Sequence, residues 1–314
     1  MRRTRDDRRQ LALALKVPAI VRIADGVAEA SIVPKIGAGL ARYDLLVEGR
    51  REPIFRRCRQ PSEARPFDLA LNLLVPWSNR ISGGGFFFGS EFYRLEPNVP
   101  GERFPIHGNA FSRAWKIESR DSTSAALSLD SMRPGPFRYA ARVAYELRGG
   151  ALAVSLMARN AGPKPLPFGL GLHPWLPRTT ETRLEAKAER VALENSEHLP
   201  AGELDVRARE DWNFATPRRL PQGWINNAFL GWDGRASVAW PDRRISVEVS
   251  AEAPVSTYIL YSPGADADFF CFEPATHPVD AHNLPGGAEA NGLTVLEPKE
   301  EMSISCRFAP SKPR

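Results

Sequence analysis

The sequence predicts an all-β protein built as one large antiparallel β-sandwich. Apolar and polar residues alternate with period two in several segments, and helical periodicity is weak. The 314 residues include 28 prolines and 24 glycines, which suits many strands and turns.

The first 16 residues form a basic arm containing Arg2, Arg3, Arg5, Arg8 and Arg9, read as a solvated terminus. Residues 17–310 read as a single domain, with no repeat at a fixed period and no linker long enough to divide them. The clearest strand pair lies at 138–156. Tyr139, Ala141, Val143, Tyr145 and Leu147 face one way, Gly149-Gly150 turns the chain, and Leu152, Val154 and Leu156 resume the apolar face. Ile245, Val247 and Val249 alternate with charged and hydroxyl residues. Val255 to Tyr261, Phe269 to Phe272 and Met302 to Phe308 are further expected strands. The prolines and glycines of 280–290 predict a loop, and Gly83-Gly84-Gly85 predicts a hairpin turn.

Composition narrows the function classes. Hydrophobic residues make up 43% and charged residues 25%, the balance of a globular protein with a sizeable core. The formal net charge is +5, but no basic stripe with interleaved aromatics marks a nucleic-acid surface. Cys58, Cys271 and Cys306 are odd in number and form no C-x-x-C, as expected of free thiols in a reducing compartment. The run Leu11 to Leu15 is too short for a signal-peptide core, and no segment is long enough to span a membrane. A cytoplasmic location is the expectation.

Four stretches gather polar and aromatic residues in expected loops: 72–93, 104–115, 169–177 and 271–283. In the first, Pro-Trp77 precedes Ser-Asn79-Arg80, setting a flat ring beside a guanidinium. Sugars suit that pairing, because their C–H faces pack on rings and their hydroxyls accept charge-assisted hydrogen bonds. The second holds His107-Gly108. In the third, Pro174 restrains His173 to an extended conformation beside Trp175. In the fourth, Glu273 follows an apolar run, and a carboxylate among apolar neighbours has a raised pKa suited to proton transfer near neutrality. Each signal alone also fits an ordinary structural residue. No phosphate loop, zinc spacing or dinucleotide fingerprint is present. His277, Asp280 and His282 are a weak metal pattern, better read as a hydrogen-bonded loop.

In order, Pro-Trp-Ser-Asn-Arg-Ile, Gly-x-Phe, Tyr-x-Leu, His-Gly, His-Pro-Trp, Phe-Glu-Pro and Asn-Gly-Leu-Thr-Val-Leu-x-Pro span about residues 20 to 308. Together they resemble the aldose 1-epimerase (galactose mutarotase) family. The resemblance implies a galactose-mutarotase-like supersandwich, a monosaccharide substrate and no cofactor. Glu273 matches the family's catalytic base and His173 its catalytic acid, while Arg80 and His107 match residues that hold the sugar. Trp77 and Trp175 stand where the family often has Tyr. Asn226 occupies a position where the family often has Asp, with Asp233 nearby as a candidate to compensate. Mutarotation needs one base, one acid and a grip on the hydroxyls, with the carboxylate and the imidazole expected on opposite sides of the ring. A hexose-6-phosphate mutarotase, using some of Arg56, Arg57, Arg218, Arg219, Arg243 and Arg244, and a non-catalytic sugar-binding module are the alternatives. A glycoside hydrolase, which usually needs two carboxylates, is disfavoured.

Overall fold

Strand pairing follows the alternation. The computed structural model describes residues 20–131 and 134–312, so the expected basic arm lies outside the described residues. Tyr139–Arg148 and Ala151–Asn160 form a hairpin in register from Tyr139↔Asn160 to Arg148↔Ala151. Gly149 (φ 59°) and Gly150 (φ 83°) both adopt the positive φ that a tight two-residue hairpin turn requires. The glycine triplet behaves differently from expectation. Gly83 and Gly84 lead into the strand Gly85–Phe88, and the turn to Glu91–Arg94 is made at Gly89-Ser90. Gly85 is needed for another reason: a Cβ there would lie 2.1 Å from the Tyr93 carbonyl oxygen.

Two antiparallel sheets dominate, one of eleven strands and one of nine. The helical pieces among the described residues are short 3-10 turns, one of them at Glu289–Asn291 within the expected loop region. The nine-stranded sheet contains the hairpin, Ile245–Ala251 and Glu301–Ser311. Its inward residues, including Tyr145, Val154, Val247 and Phe308, share one core with Leu71, Leu172, Tyr258, Phe270 and Phe272 of the larger sheet. Each such large side chain contributes roughly 1.5–3 kcal/mol through burial. Polar tips in this core are paired across the layers: Tyr43 Oη donates to Gly150 O (2.6 Å) and Tyr145 Oη to Ala38 O (2.8 Å).

The outward faces of the two sheets differ. On the hairpin, Arg142 and Glu146 are exposed. On the eleven-stranded sheet the central strands Leu71–Leu74, Gly171–Pro177 and Phe269–Ala275 are mostly buried on both faces. That double burial explains the nearly continuous apolar run Phe-Phe-Cys-Phe before Glu273.

Candidate active site

Register carries the site residues to one face. Thr257–Ser262 pairs with Ile225–Leu230 and with Phe269–Ala275, which in turn pairs with Gly171–Pro177. Asn226 lies opposite Tyr261, Tyr261 opposite Cys271, and Cys271 opposite Trp175, forming one cross-strand row. The neighbouring row runs from Ala228 through Ile259 to Glu273. The pairs Gly171↔Ala275 and Trp175↔Cys271 bracket His173 and set it across from Glu273. His173 pairs on its other side with Asn72. His173 and Glu273 therefore sit inside central strands, whereas strand-end positions within the expected loop stretches were predicted. Phe270 and Phe272 point into the core while Glu273, between Phe272 and Pro274, points out of it.

These rows floor an open cleft of about 620 Å³ whose lining includes Arg80, His107, His173, Trp175, Asn226 and Glu273. Six of the seven expected site residues converge there. Trp77 does not: it is fully buried, packs on Phe137 (5.6 Å between centroids), and belongs to the core between the sheets. Trp77 follows the strand Leu71–Leu74 in an irregular segment that turns its ring inward. Trp175 is in the wall, but its ring is largely occupied. It stacks on His173 (5.0 Å, 15° between planes), and the Arg56 guanidinium lies 4.1 Å from its centroid. Its Nε1 donates to Asn72 Oδ1 at 3.3 Å.

His173 Nε2 and Glu273 Oε1 are 3.4 Å apart. No sugar ring fits between them, so the expected placement on opposite sides is corrected to side by side. Burial pushes the Glu273 carboxyl up to about 8, opposed in part by the charge of Arg80. Burial pushes the His173 imidazole down to about 3, helped by the nearby charge of Arg56. Between these two values the pair carries its mobile proton on Glu273, beside a neutral imidazole. Glu273 Oε2 and His173 Nδ1 are buried without hydrogen-bond partners among the described residues.

Arg80 and His107 come from a strained loop pair. The Asn79 N–H donates to His107 Nδ1 (3.0 Å), and the His107 N–H donates to Asn79 O (3.0 Å). Nδ1 accepts, so the ring proton is on Nε2, available as a donor. Burial and the neighbouring His173 hold this imidazole well below its ordinary pKa, so it is neutral. Asn79 (φ 58°) and His107 (φ 60°) are left-handed, a strain for non-glycine residues that is typical of functional positions, and Gly108 (φ 64°) continues the turn without that cost. Arg80 is clamped by Glu102 through Nε–Oε2 (3.0 Å) and Nη2–Oε1 (3.1 Å). The other cleft arginine, Arg103, is ion-paired with Glu197.

None of the arginines considered for a phosphate lines this cleft. Arg56 lies against Trp175, Arg57 pairs with Asp44, Arg219 with Glu181 and Arg243 with Glu52. Arg218 donates to Asn213 O, and Arg244 caps a turn. Asp233 is exposed in a turn, where it accepts from the Arg235 N–H (3.0 Å), and so does not compensate for Asn226. His277 accepts from the Ser78 N–H (3.1 Å) and its Nδ1 donates to Pro278 O (2.8 Å). His282 Nε2 donates to Pro167 O (3.0 Å) in the strand Leu166–Phe168, so both rings serve backbone groups. The ligand atoms of His173, Cys271 and Glu273 lie within 4.8 Å of one another.

Sequence reasoning missed Glu102, Tyr261, Trp224 and His198, which also line the cleft. It missed Glu194 too, which bonds three lining residues. The polar run Glu194 to His198, breaking an alternating segment, was a readable signal for two of them. Among the described residues, no helix is long and apolar enough to cross a membrane.

Comparison with known proteins places these features in a wider set. The family model described as aldose 1-epimerase matches residues 19–309. The uncharacterized protein YphB of Escherichia coli K12 is 34% identical over 241 residues, covering 74% of this chain and 81% of its own. A crystal structure of a candidate aldose 1-epimerase from the same organism superposes with a TM-score of 0.86 at 27% identity, covering 94% of this chain and 99% of the other. A GalM/aldose epimerase homologue from C. elegans shares the fold, with a TM-score of 0.81 at 17% identity over 94% of this chain and 99% of the other.

Proposed function

The chain belongs to the aldose 1-epimerase family, and we propose that it interconverts the α- and β-anomers of a free aldose by acid–base ring opening and reclosure. One observation carries this reading: a buried imidazole and carboxyl, 3.4 Å apart on the floor of an open cleft. The anomeric hydroxyl O1 and the ring oxygen O5 are both bonded to C1. Ring opening removes a proton from O1 and adds one to O5, so the acid and the base belong side by side.

In the proposed step, Glu273 takes the O1 proton and the C1=O1 double bond forms. The C1–O5 bond breaks as O5 receives a proton from His173. Rotation about C1–C2 and the reverse transfers give the other anomer, with no net change of protons or electrons. This assignment puts the mobile proton on His173, whereas the raised carboxyl and lowered imidazole favour it on Glu273. The two forms have the same net charge and differ by one transfer across the short gap. A sugar hydroxyl donating to Glu273 favours its carboxylate form. Arg80 and the Nε2–H of His107 hold neighbouring hydroxyls. The pairing of both cleft arginines with glutamates favours a neutral sugar over a phosphorylated one.

Polarimetry on freshly dissolved α-glucose, α-galactose and α-arabinose tests the proposal. At least one should equilibrate faster with enzyme than without, and glucose 6-phosphate should be a poorer substrate than glucose. Glu273→Gln should lower kcat by about 10²–10⁴-fold with a small change in KM. Wild-type kcat in that variant would remove Glu273 from the mechanism, and no acceleration on any aldose or its phosphate would end the proposal.

A further inference from the structure

The register of Arg190–Glu194 with Ile225–Leu230 runs Arg190↔Leu230, Val191↔Phe229 and Ala192↔Ala228. Continued by two residues, it brings Glu194 opposite Asn226. The side chains meet there, with Asn226 Nδ2 donating to Glu194 Oε2 at 2.8 Å. The same carboxylate accepts from His198 Nδ1 at 2.8 Å and from Trp224 Nε1. Asn226, His198 and Trp224 all line the cleft, whereas Glu194 stands behind them. Trp224 is 48% exposed, packs on His198 (5.7 Å) and Tyr261 (5.2 Å), and so offers an aromatic surface at that end of the cleft.

We propose that Glu194 is a specificity-determining positioning residue that fixes Asn226 as a hydrogen-bond acceptor for a hydroxyl of the bound aldose, far from the reacting carbon. The inference rests on the sugar-binding reading above. An amide can present either end to a ligand. Glu194 can only accept, so it binds the NH₂ end and leaves Oδ1 for the cleft. The acceptor that the family often supplies with Asp is thus supplied here by an amide, with the negative charge moved one strand outward. Trp224 and His198, tied to the same carboxylate, keep that end of the cleft in one arrangement.

This geometry has a consequence for exchanging the two side chains. Asn226→Asp alone would put two carboxylates in contact and disrupt the site. Asn226→Asp with Glu194→Gln restores complementarity: the new amide at position 194 donates to the new carboxylate at position 226, and its oxygen still accepts from Trp224.

The test uses the full chain and measures kcat and KM for glucose, galactose and arabinose, with calorimetric binding of the same sugars. Glu194→Ala and Asn226→Asp should each raise KM and Kd by roughly 10–100-fold for at least one sugar, moving kcat much less. The double variant should recover to within about threefold of wild type, judged against that same range. Failure of the double variant to improve on Asn226→Asp, or wild-type binding in Glu194→Ala, overturns the proposal. If the protein binds aldoses but turns none over, the epimerase reading fails while the Glu194 result stands. If it binds none, both fail.

Discussion

At the residue scale, the proposed activity depends on the proton inventory of His173 and Glu273. Glu273 lies at about 8 and His173 at about 3. Between these values the pair holds one mobile proton, which ring opening requires. As pH rises through about 8 the pair loses that proton and has no acid; as pH falls toward about 3 a second proton arrives and removes the base. A pH profile of kcat/KM should therefore show a broad plateau with its alkaline limb near 8. An alkaline limb absent up to pH 10 would contradict the raised carboxyl. Exhaustive dialysis against a chelator should leave mutarotation intact or raise it, because a metal held by His173, Cys271 and Glu273 would occupy the pair itself. Activity restored only by added metal would reverse that expectation. The sequence exposed both residues through their neighbours: Pro174 after His173, and the apolar run before Glu273. It hid their mutual position, since side-by-side placement is a property of strand register across about a hundred residues. Trp77 was misassigned because a ring next to Asn-Arg reads the same whether it turns toward the cleft or the core.

At the element scale, the paired loops at Asn79 and His107 hold Arg80 and His107, the proposed binding groups, by backbone contacts. Gly108 is the tightest point: its φ is 64° and a Cβ would lie 1.9 Å from the Val75 carbonyl oxygen. Gly108→Ala should destabilise the fold by about 2–3 kcal/mol, and in the surviving protein should raise KM more than it lowers kcat. Chemical denaturation with parallel kinetics would read both effects, and an unchanged midpoint would show that the loop can relax. The hairpin at 139–160 and the strands near 245 and 301 were legible from period two, and those near 257 and 269 from their apolar runs. The glycine triplet was misread because positive φ is needed both at hairpin turns and where a strand edge meets a neighbouring carbonyl. The Glu194–Asn226 contact was illegible: the polar run marks Glu194 and the family resemblance marks Asn226, but only strand register brings the two together.

At the scale of the whole molecule, buried titratable groups tie folding stability to pH. Four of the five histidines, His107, His173, His277 and His282, have lowered pKa values, with desolvation as the leading cause. Such groups contribute stability that is present above the ordinary histidine pKa of 6.5 and is lost as pH falls toward the folded values. Glu273 acts in the opposite direction. Its raised pKa contributes stability below the ordinary 4.5, lost as pH rises through about 8. Glu273→Gln should therefore raise Tm at pH 8.5 by several degrees, at roughly 2–4 °C per kcal/mol, and change it much less at pH 5.5. An equal change at both values would mean that packing, and not charge burial, sets the difference.

The cross-strand rows also act as a ruler. Adjacent strands lie roughly 4.8 Å apart. Two such steps separate the strand of Glu273 from that of Asn226. A sugar whose anomeric carbon sits over the proton-transfer pair meets its far hydroxyl contact at a distance set by backbone hydrogen bonding. Side-chain substitutions along a row can change which hydroxyl is recognised, axial or equatorial, charged or neutral. They cannot change the span. In the proposed reaction, the sheet therefore sets the backbone spacing between the two contacts, while substrate stereochemistry is left to individual residues.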